Sequence, residues 1–401
     1  MKFSVKFGLL DMIRFKNLVN VRKRHIQEGA STPITVDPVN TLAQTLHPLT
    51  LDLVISKVTI ETPSTKTFRL VSADGLKKVL PFFRAGQYLS IKTRVEGSAI
   101  TRPYTISSSP NDALAGFYEI TLRKKDGGFL SEYAFSNWNE GTRLTASSPC
   151  GFFYHERLRD TTEILALAGG SGITPFRSMI KDIVENGKNL KLTLIYGTKS
   201  PNDIIFAAEL GELAQKAPEK IAVHVVCSEP DSCWEGPTGF LTAECIKNIA
   251  GDLKDKTVFI CGPQLMYRML DNELKVFGLP ARRIRREVMG ETADVTVIPG
   301  YPKDLATKTF SITVRSKGSK KDIPALASET VLVALERAKF APPSQCRSGE
   351  CGWCRTRLIR GDVFVNPEND GRRIADAAYG YFHPCSAYPV SDLEIVAPQG
   401  L

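Results

Sequence analysis

Cys346-Arg347-Ser348-Gly349-Glu350-Cys351-Gly352-Trp353-Cys354, with Cys385 following 31 positions later, is the stretch on which the reading of this chain turns. The C-x4-C-x2-C…C arrangement is the ligand spacing of a plant-type [2Fe–2S] cluster. A compact two-iron centre needs thiolates from one tight loop and one distant strand or turn. Gly349 and Gly352 let the backbone wrap closely, and the N–H groups of Arg347, Ser348 and Gly349 are placed to bond the inorganic sulfides. The competing reading, a structural zinc site, asks for two separated C-x2–4-C knuckles, and only one C-x2-C occurs here. Cys346, Cys351, Cys354 and Cys385 are therefore the candidate metal ligands. Cys150, Cys227, Cys233 and Cys245 read as small buried hydrophobes.

Working outward, 401 residues make two to three domains of ordinary size, because single cores stop growing near about 250–300 residues. A composition of 42% hydrophobic and 24% charged residues excludes a disordered or fibrous chain. Nine cysteines are too sparse for a disulfide scaffold. No apolar run approaches the roughly 20 residues of a membrane span, and no secretory h-region is visible, so the expected location is cytoplasmic. The net charge of +9 is spread along the chain except for seven basic residues between Lys2 and Arg24, which argues against nucleic-acid binding.

Five segments follow. Residues 1–48 form a basic arm with apolar positions at Phe3, Val5, Phe7, Leu9, Leu10, Ile13, Leu18 and Val19. Residues 49–157 hold short Val/Ile/Thr/Phe runs between turn signals, the pattern of an antiparallel β-barrel. Residues 158–290 alternate apolar runs with helical patterns, which predicts a parallel α/β sheet. Residues 291–308, with Pro299, Gly300 and Pro302, read as a linker, and 309–401 as a small α+β domain.

Upstream of the cysteines, Arg102-Pro103-Tyr104-Thr105 resembles the R-x-Y-[S/T] motif of the ferredoxin–NADP reductase-type flavoproteins. The chain as a whole resembles such a flavoprotein fused to a C-terminal plant-type [2Fe–2S] ferredoxin domain, the order found in one-chain reductases of oxygenases and hydroxylases. The resemblance implies a multidomain fold with a β-barrel flavin domain, an α/β nicotinamide domain and a β-grasp ferredoxin domain. In such motifs the arginine supplies a fork for a phosphate, the tyrosine a flat face for the isoalloxazine ring, and the hydroxyl a hydrogen bond near flavin N5. Thr121-Leu122-Arg123 and Gly128-Phe129-Leu130-Ser131 are similar to the segment that lines the ribityl chain and offers a helix N-terminus to the flavin phosphate. A hairpin turn at Asp126-Gly127-Gly128 is the alternative for that segment. FAD is preferred over FMN on the likeness of Gly128 to Ser131.

Gly169-Gly170-Ser171-Gly172-Ile173-Thr174-Pro175 follows a buried-strand pattern and opens a helix, with Thr174 suited to the cap and Pro175 to the first helical position. It lacks the full G-x-G-x-x-G spacing but resembles the family's pyrophosphate turn. Cys261-Gly262-Pro263 resembles the C-G-P motif beside the nicotinamide C4, and Glu287 stands where relatives bring an acid to the flavin edge, a solvated surface glutamate being the alternative. Thr105, Cys261 and Glu287 are the candidate catalytic residues. Ser228-Glu229-Pro230 would repel a 2′-phosphate, whereas Lys199 would attract one; NADH is preferred and NADPH is the alternative.

Hydride delivers two electrons and a cluster accepts one, so a flavin has to stand between them. The expectation is an NADH-dependent reductase passing electrons through FAD to the cluster and on to a redox partner protein such as an oxygenase. The alternatives are a sensing or assembly subunit without turnover, and direct reduction of a small organic acceptor. From Lys308 onward there are 13 basic and 10 acidic residues, too balanced to steer a strongly charged partner. Residues 1–30 are the candidate for a weak membrane-surface or partner contact, an extra helix packed on the barrel being the plainer alternative.

Overall fold

The structure, a computed structural model, describes residues 8–29, 37–75, 79–316 and 318–396. Two units emerge, residues 1–46 and 47–401. The first holds helices α1 (Leu9–Glu28) and α2 (Pro38–Leu46). Leu10, Met12, Ile13, Phe15, Leu18 and Ile26 of α1 are each more than half exposed. Leu10 and Met12, two positions apart, lie on nearly opposite sides of the helix, so its apolar residues do not gather into the single apolar side read from the sequence. Phe3, Val5 and Phe7 of the expected arm lie outside the described residues. Among the described residues no helix is long and apolar enough to cross a membrane.

The second unit begins with six antiparallel strands, β1 (Thr50–Thr62), β2 (Thr65–Ser72), β3 (Tyr88–Val95), β4 (Ser98–Thr105), β5 (Phe117–Arg123) and β6 (Arg143–Ser147). Their order is β4-β3-β6-β1-β2-β5, and a bridge from Ile106 to Ile120 brings the two ends together as a barrel. Alternating residues such as Leu53, Ile55, Phe68, Leu70, Leu89 and Ile91 fill its interior. Pro103 is tolerated because β4 is an edge of the ladder, where a missing N–H costs no strand pairing. Helices α3 (Pro110–Leu114) and α4 (Phe129–Asn137) lie in the connections.

Next comes a five-stranded sheet of β7 (Glu163–Gly169), β8 (Lys191–Thr198), β9 (Ile221–Cys227), β10 (Lys256–Cys261) and β11 (Ile284–Arg286), ordered β11-β10-β7-β8-β9 and parallel throughout. Alternation along β7 explains why it is covered twice. Ile164, Ala166 and Ala168 pack with α5 (Thr174–Glu185) and α6 (Ala207–Lys216), and Leu165 and Leu167 pack with α7 (Ala243–Ala250) and α8 (Gln264–Glu273). A side chain as fully buried as Phe176 contributes roughly 2–3 kcal/mol. The order in which strands are added reverses between β7 and β10, and the crevice beyond their carboxyl ends is the ligand position of open α/β sheets.

Residues 291–308 are more than a connection: Val295, Ile298 and Tyr301 pack against Phe364 and Tyr388 of the C-terminal domain. That domain contains β12 (Thr309–Ser316), β13 (Ser319–Leu326), β14 (Thr356–Arg360), β15 (Val363–Val365), β16 (Tyr381–Phe382), β17 (Ala387–Pro389) and β18 (Leu393–Val396). A mixed sheet ordered β13-β12-β18-β14-β16 is crossed by α9 (Val331–Arg337), with α10 (Ile374–Ala378) at its margin, which is a β-grasp. Thr330 caps α9 by accepting a hydrogen bond from the Val333 N–H at 3.2 Å.

Candidate functional site

The cysteine loop leaves α9 through backbone that L-residues rarely adopt. Lys339, Ala341 and Arg347 have φ of 65°, 48° and 56°, and Gly349 and Gly352 have φ of 86° and 73°. A Cβ on Gly349 would stand 2.1 Å from the Asn369 carbonyl oxygen, so only glycine allows this wrap. Cys346, Cys354 and Cys385 are buried, Cys351 is exposed, and the sulfurs of Cys354 and Cys385 are 3.5 Å apart. Backbone N–H groups of Ser348 and Cys351 donate to Cys346 Sγ at 3.4 Å, and that of Gly349 donates to Cys385 Sγ at 3.3 Å. Hydrogen bonds from Cys351, Cys385 and Ser348 pull the Cys346 thiol far below its usual range. His383 Nδ1 lies 2.6 Å from the Gly349 carbonyl oxygen, which can only accept, so Nδ1 carries the proton. Arg347 Nε and Ser348 Oγ are buried donors without a partner. Four gathered thiols faced by the N–H groups of Ser348, Gly349 and Cys351 fit a sulfide-containing diiron cluster.

In the barrel, β4 pairs with β3 so that Arg102 lies opposite Ile91 and Thr105 opposite Tyr88. The Tyr104 ring meets Trp138 edge to face at 6.3 Å, and burial pushes its phenol up. Arg102 is half-buried. One of its nitrogens donates to the Thr101 carbonyl at 2.9 Å and lies 3.4 Å from Glu336 of α9. Gly128 caps α4 without any side-chain bond, leaving the first N–H groups of that helix for an anion; the hairpin alternative is not what forms. A Cβ on Gly128 would meet Ser131 Oγ at 2.3 Å, Phe129 is exposed, and Leu130 is buried in the barrel core. Thr121 spends its hydroxyl on Thr67 at 2.9 Å and Ser107 at 3.0 Å, and Leu122 is core, so their side chains serve the barrel itself. Arg123 reaches the nicotinamide domain, 3.2 Å from Asp203 and beside Gly170.

At the crevice between β7 and β10, Gly170 to Ile173 form a 3-10 turn before α5. Thr174 is therefore already helical (φ −56°), Ile173 takes the cap position, and the Thr174 hydroxyl donates back to the Ser171 carbonyl at 3.1 Å. The expected threonine cap is corrected on that ground, while Pro175 keeps its place in the first turn. A Cβ on Gly172 would be 2.1 Å from the Cys261 carbonyl oxygen, so this glycine lets the Gly169–Gly172 and Cys261–Pro263 loops touch. The Cys261 thiol is held neutral by burial and by the neighbouring Glu287. Tyr267 was not visible as a site residue in the sequence. Its hydroxyl accepts from the Gly262 N–H at 3.2 Å and donates to the Glu287 carbonyl, tying the two segments together.

Glu287 is 8% exposed, which excludes the solvated-surface reading. Burial, then Glu350 and Cys346, push its carboxyl well above the usual range. The Gly290 N–H donates to the Cys346 carbonyl at 3.3 Å, and the buried Tyr88 phenol, raised by burial, feels Cys150, Cys346 and Cys351. Barrel, nicotinamide crevice and cysteine loop thus meet at one junction. Lys199 is 3.5 Å from Glu229, and both side chains are exposed.

Residues 52–155 match the oxidoreductase FAD-binding domain, 166–272 the oxidoreductase NAD-binding domain, and 314–390 the 2Fe-2S iron-sulfur cluster binding domain. A glycine betaine monooxygenase reductase subunit of Pseudomonas aeruginosa is 29% identical over 350 residues, covering 84% of this chain and 93% of that protein. The ferredoxin reductase component of 3-ketosteroid-9-alpha-monooxygenase from Mycolicibacterium smegmatis is 29% identical over 353 residues, covering 85% and 95%. Among solved structures, phthalate dioxygenase reductase superposes with a TM-score of 0.62 at 22% identity, over 87% of this chain and 97% of that one, a likeness of fold. The three matches together make the chain an oxidoreductase in which an FAD-binding domain, an NAD-binding domain and a C-terminal 2Fe-2S domain are fused in that order.

Proposed function

We propose that this oxidoreductase is the reductase component of a multi-protein oxygenase, and that the residues assembled at the junction carry electrons from NADH to a separate partner protein. The observation that carries this reading is the meeting of the three domains, with Gly290, three residues beyond Glu287, bonded to the carbonyl of Cys346. When bound, the flavin takes up the electron pair of a hydride and hands electrons on singly to the cluster, which carries one at a time.

The chain's own residues orient and insulate. Arg102 offers its fork to the flavin phosphate, with the open N-terminus of α4 as a second anion seat. Tyr104 supplies a ring face and Thr105 a hydroxyl toward the ring edge. The Gly170–Gly172 turn and the start of α5 receive the nicotinamide pyrophosphate. Cys261, small and neutral, packs beside the nicotinamide without introducing charge, and Tyr267 holds its loop at a fixed distance from Glu287. Glu287, its carboxyl biased by burial toward the protonated form, stands at the buried ring edge. Cys346, Cys351, Cys354 and Cys385 hold the cluster. The mutual neutralisation of Lys199 and Glu229 favours NADH over NADPH.

The test compares acceptors. With NADH as donor, Cys351→Ser is expected to retain most ferricyanide reduction, which draws from the flavin, while cytochrome c reduction falls at least about tenfold. Equal retention of both activities would defeat the relay. Flavin bleached by NADH without repeated turnover would favour the sensing alternative. The oxygenase assignment is checked by the protein that co-purifies and restores substrate oxidation.

A further inference from the structure

Arg102 and Arg347 are assigned to different redox centres, one in the barrel and one inside the cysteine loop, yet they share a carboxylate. Glu336, at the end of α9 and 9% exposed, places Oε2 3.4 Å from Arg102 and accepts from Arg347 through Oε1 at 2.6 Å. Arg347 is fully buried and its other terminal nitrogen bonds Glu291, which also accepts from the Thr330 hydroxyl at 3.3 Å. Two cations and two carboxylates thus alternate in one chain, Arg102–Glu336–Arg347–Glu291, across the seam between barrel and ferredoxin domain. Lys339, two residues beyond α9, places its ammonium beside Gly97 in the turn before β4.

The charges constrain one another. Burial opposes the charge on Arg347, but Glu291 and Glu336 outweigh it and hold that guanidinium above its ordinary value. Arg102 is pushed down by burial and by Arg347, and Glu336 works in the opposite direction. Displacing any member leaves a buried charge uncompensated, which low-dielectric surroundings penalise heavily. Arg347 is also the residue between Cys346 and Ser348, held at positive φ, so its side-chain anchorage fixes the backbone whose N–H groups face the sulfurs.

We propose that Glu336 is a positioning residue that couples the two cofactor seats. By gripping Arg102 with one carboxylate oxygen and Arg347 with the other, it makes flavin-phosphate binding in the barrel and closure of the cysteine loop depend on each other. The proposal rests on the reading of Arg102 as a phosphate ligand. Linkage requires the effect to be reciprocal: a bound flavin protects the cluster by the same factor by which a closed loop tightens flavin.

The experiment uses the full-length holoprotein and two readouts that do not involve turnover. These are the FAD dissociation constant, from the fluorescence of released flavin, and the rate at which an iron chelator strips the cluster with and without FAD. In the wild type, removing FAD is expected to speed cluster loss about tenfold. In Glu336→Gln, FAD is expected to bind about tenfold more weakly and to protect the cluster no longer. Wild-type cluster loss that is indifferent to FAD, or undiminished protection in Glu336→Gln, would overturn the proposal. Should Glu336→Gln fail to fold, Arg102→Gln decides. At saturating FAD its cluster is expected to be lost as fast as in flavin-free wild type, and loss at the holoprotein rate would overturn the link. Arg102→Gln binding FAD as tightly as wild type would instead overturn the phosphate assignment, and the proposal with it.

Discussion

Two seams hold the flavin barrel to its neighbours, and they are built in opposite ways. Toward the nicotinamide domain the node is Arg177 of α5, 7% exposed, which donates to the Ser107 carbonyl at 3.1 Å, to Glu119 at 2.9 Å and to Glu209 at 2.6 Å. Ser178 donates to the Ser108 carbonyl at 2.6 Å, and Lys181 pairs with Asp112 at 2.9 Å. None of these residues is a candidate ligand. Toward the ferredoxin domain the node is Glu336, and its partners are candidate site residues or stand between them. One guanidinium at the first seam has its whole fork bonded; at the second Arg347 leaves Nε unpartnered. The first seam fixes geometry through residues outside the candidate site, whereas the second spends a candidate site residue on the joint itself.

That contrast can be broken most forcefully at Arg177. Arg177→Met leaves Glu119 and Glu209 without their shared cation and should cost about 3–5 kcal/mol of stability, read by urea unfolding, with FAD affinity of the folded protein unchanged. A large loss of FAD affinity in the folded variant would erase the distinction between the seams. Glu291→Gln probes the second seam at its far end. It removes one charge-assisted bond to Arg347 and should cost about 1.5–3 kcal/mol, with iron released to a chelator faster than in wild type. Unchanged iron retention would mean that the Arg347 anchorage does not hold the cysteine loop.

The seams also mark where sequence reading stops. The cysteine loop was legible because three of its four candidate ligands lie within nine positions of one another, and the β7 and β10 turns because glycine where loops touch leaves a local signature. Arg102 was read as a candidate phosphate fork but not as a partner of Glu336, 234 positions away, because nothing local in either segment encodes the pairing. Arg177 looked like an ordinary helical residue, and Tyr267 like any aromatic of an amphipathic helix. The threonine cap failed because a 3-10 turn took up the residues before it. The packing of the 291–308 linker was not legible because Val295, Ile298 and Tyr301, each unremarkable alone, cover a surface formed only in the tertiary structure. The sequence does hold one usable hint of the second seam: an arginine between a ligand cysteine and a tight glycine turn has nowhere to go but inward, and a buried arginine demands carboxylates.

Between the seams stands Glu287, whose proton is retained by burial and by Glu350 and Cys346. Its folded pKa lies above the ordinary 4.5, so from that pH upward the unfolded chain has released a proton that the folded chain keeps. Unfolding is thereby favoured progressively until the folded carboxyl also ionises, and stability falls with rising pH over that window. Glu287→Gln should remove this component, so its stability declines less than that of wild type between pH 5 and pH 8. Parallel declines would show that Glu287 ionises normally and is no proton reservoir at the ring edge.

The smallest effect is expected where neither partner is buried. Lys199 and Glu229 are both about two-thirds exposed, in contrast to the carboxylates and guanidinium at the heart of each seam. An exposed pair of this kind is worth about 0–1 kcal/mol to folding, so Glu229→Gln should leave urea unfolding nearly unmoved. What it changes is the field at the rim of the nicotinamide crevice. One negative charge disappears and Lys199 is freed to meet a phosphate, so the ratio of kcat/KM for NADPH to that for NADH should rise, by no more than about tenfold for a solvent-screened lysine. A ratio that stays put would place the 2′-position of the bound nucleotide away from this pair, and the preference for NADH would then have to come from another part of the crevice.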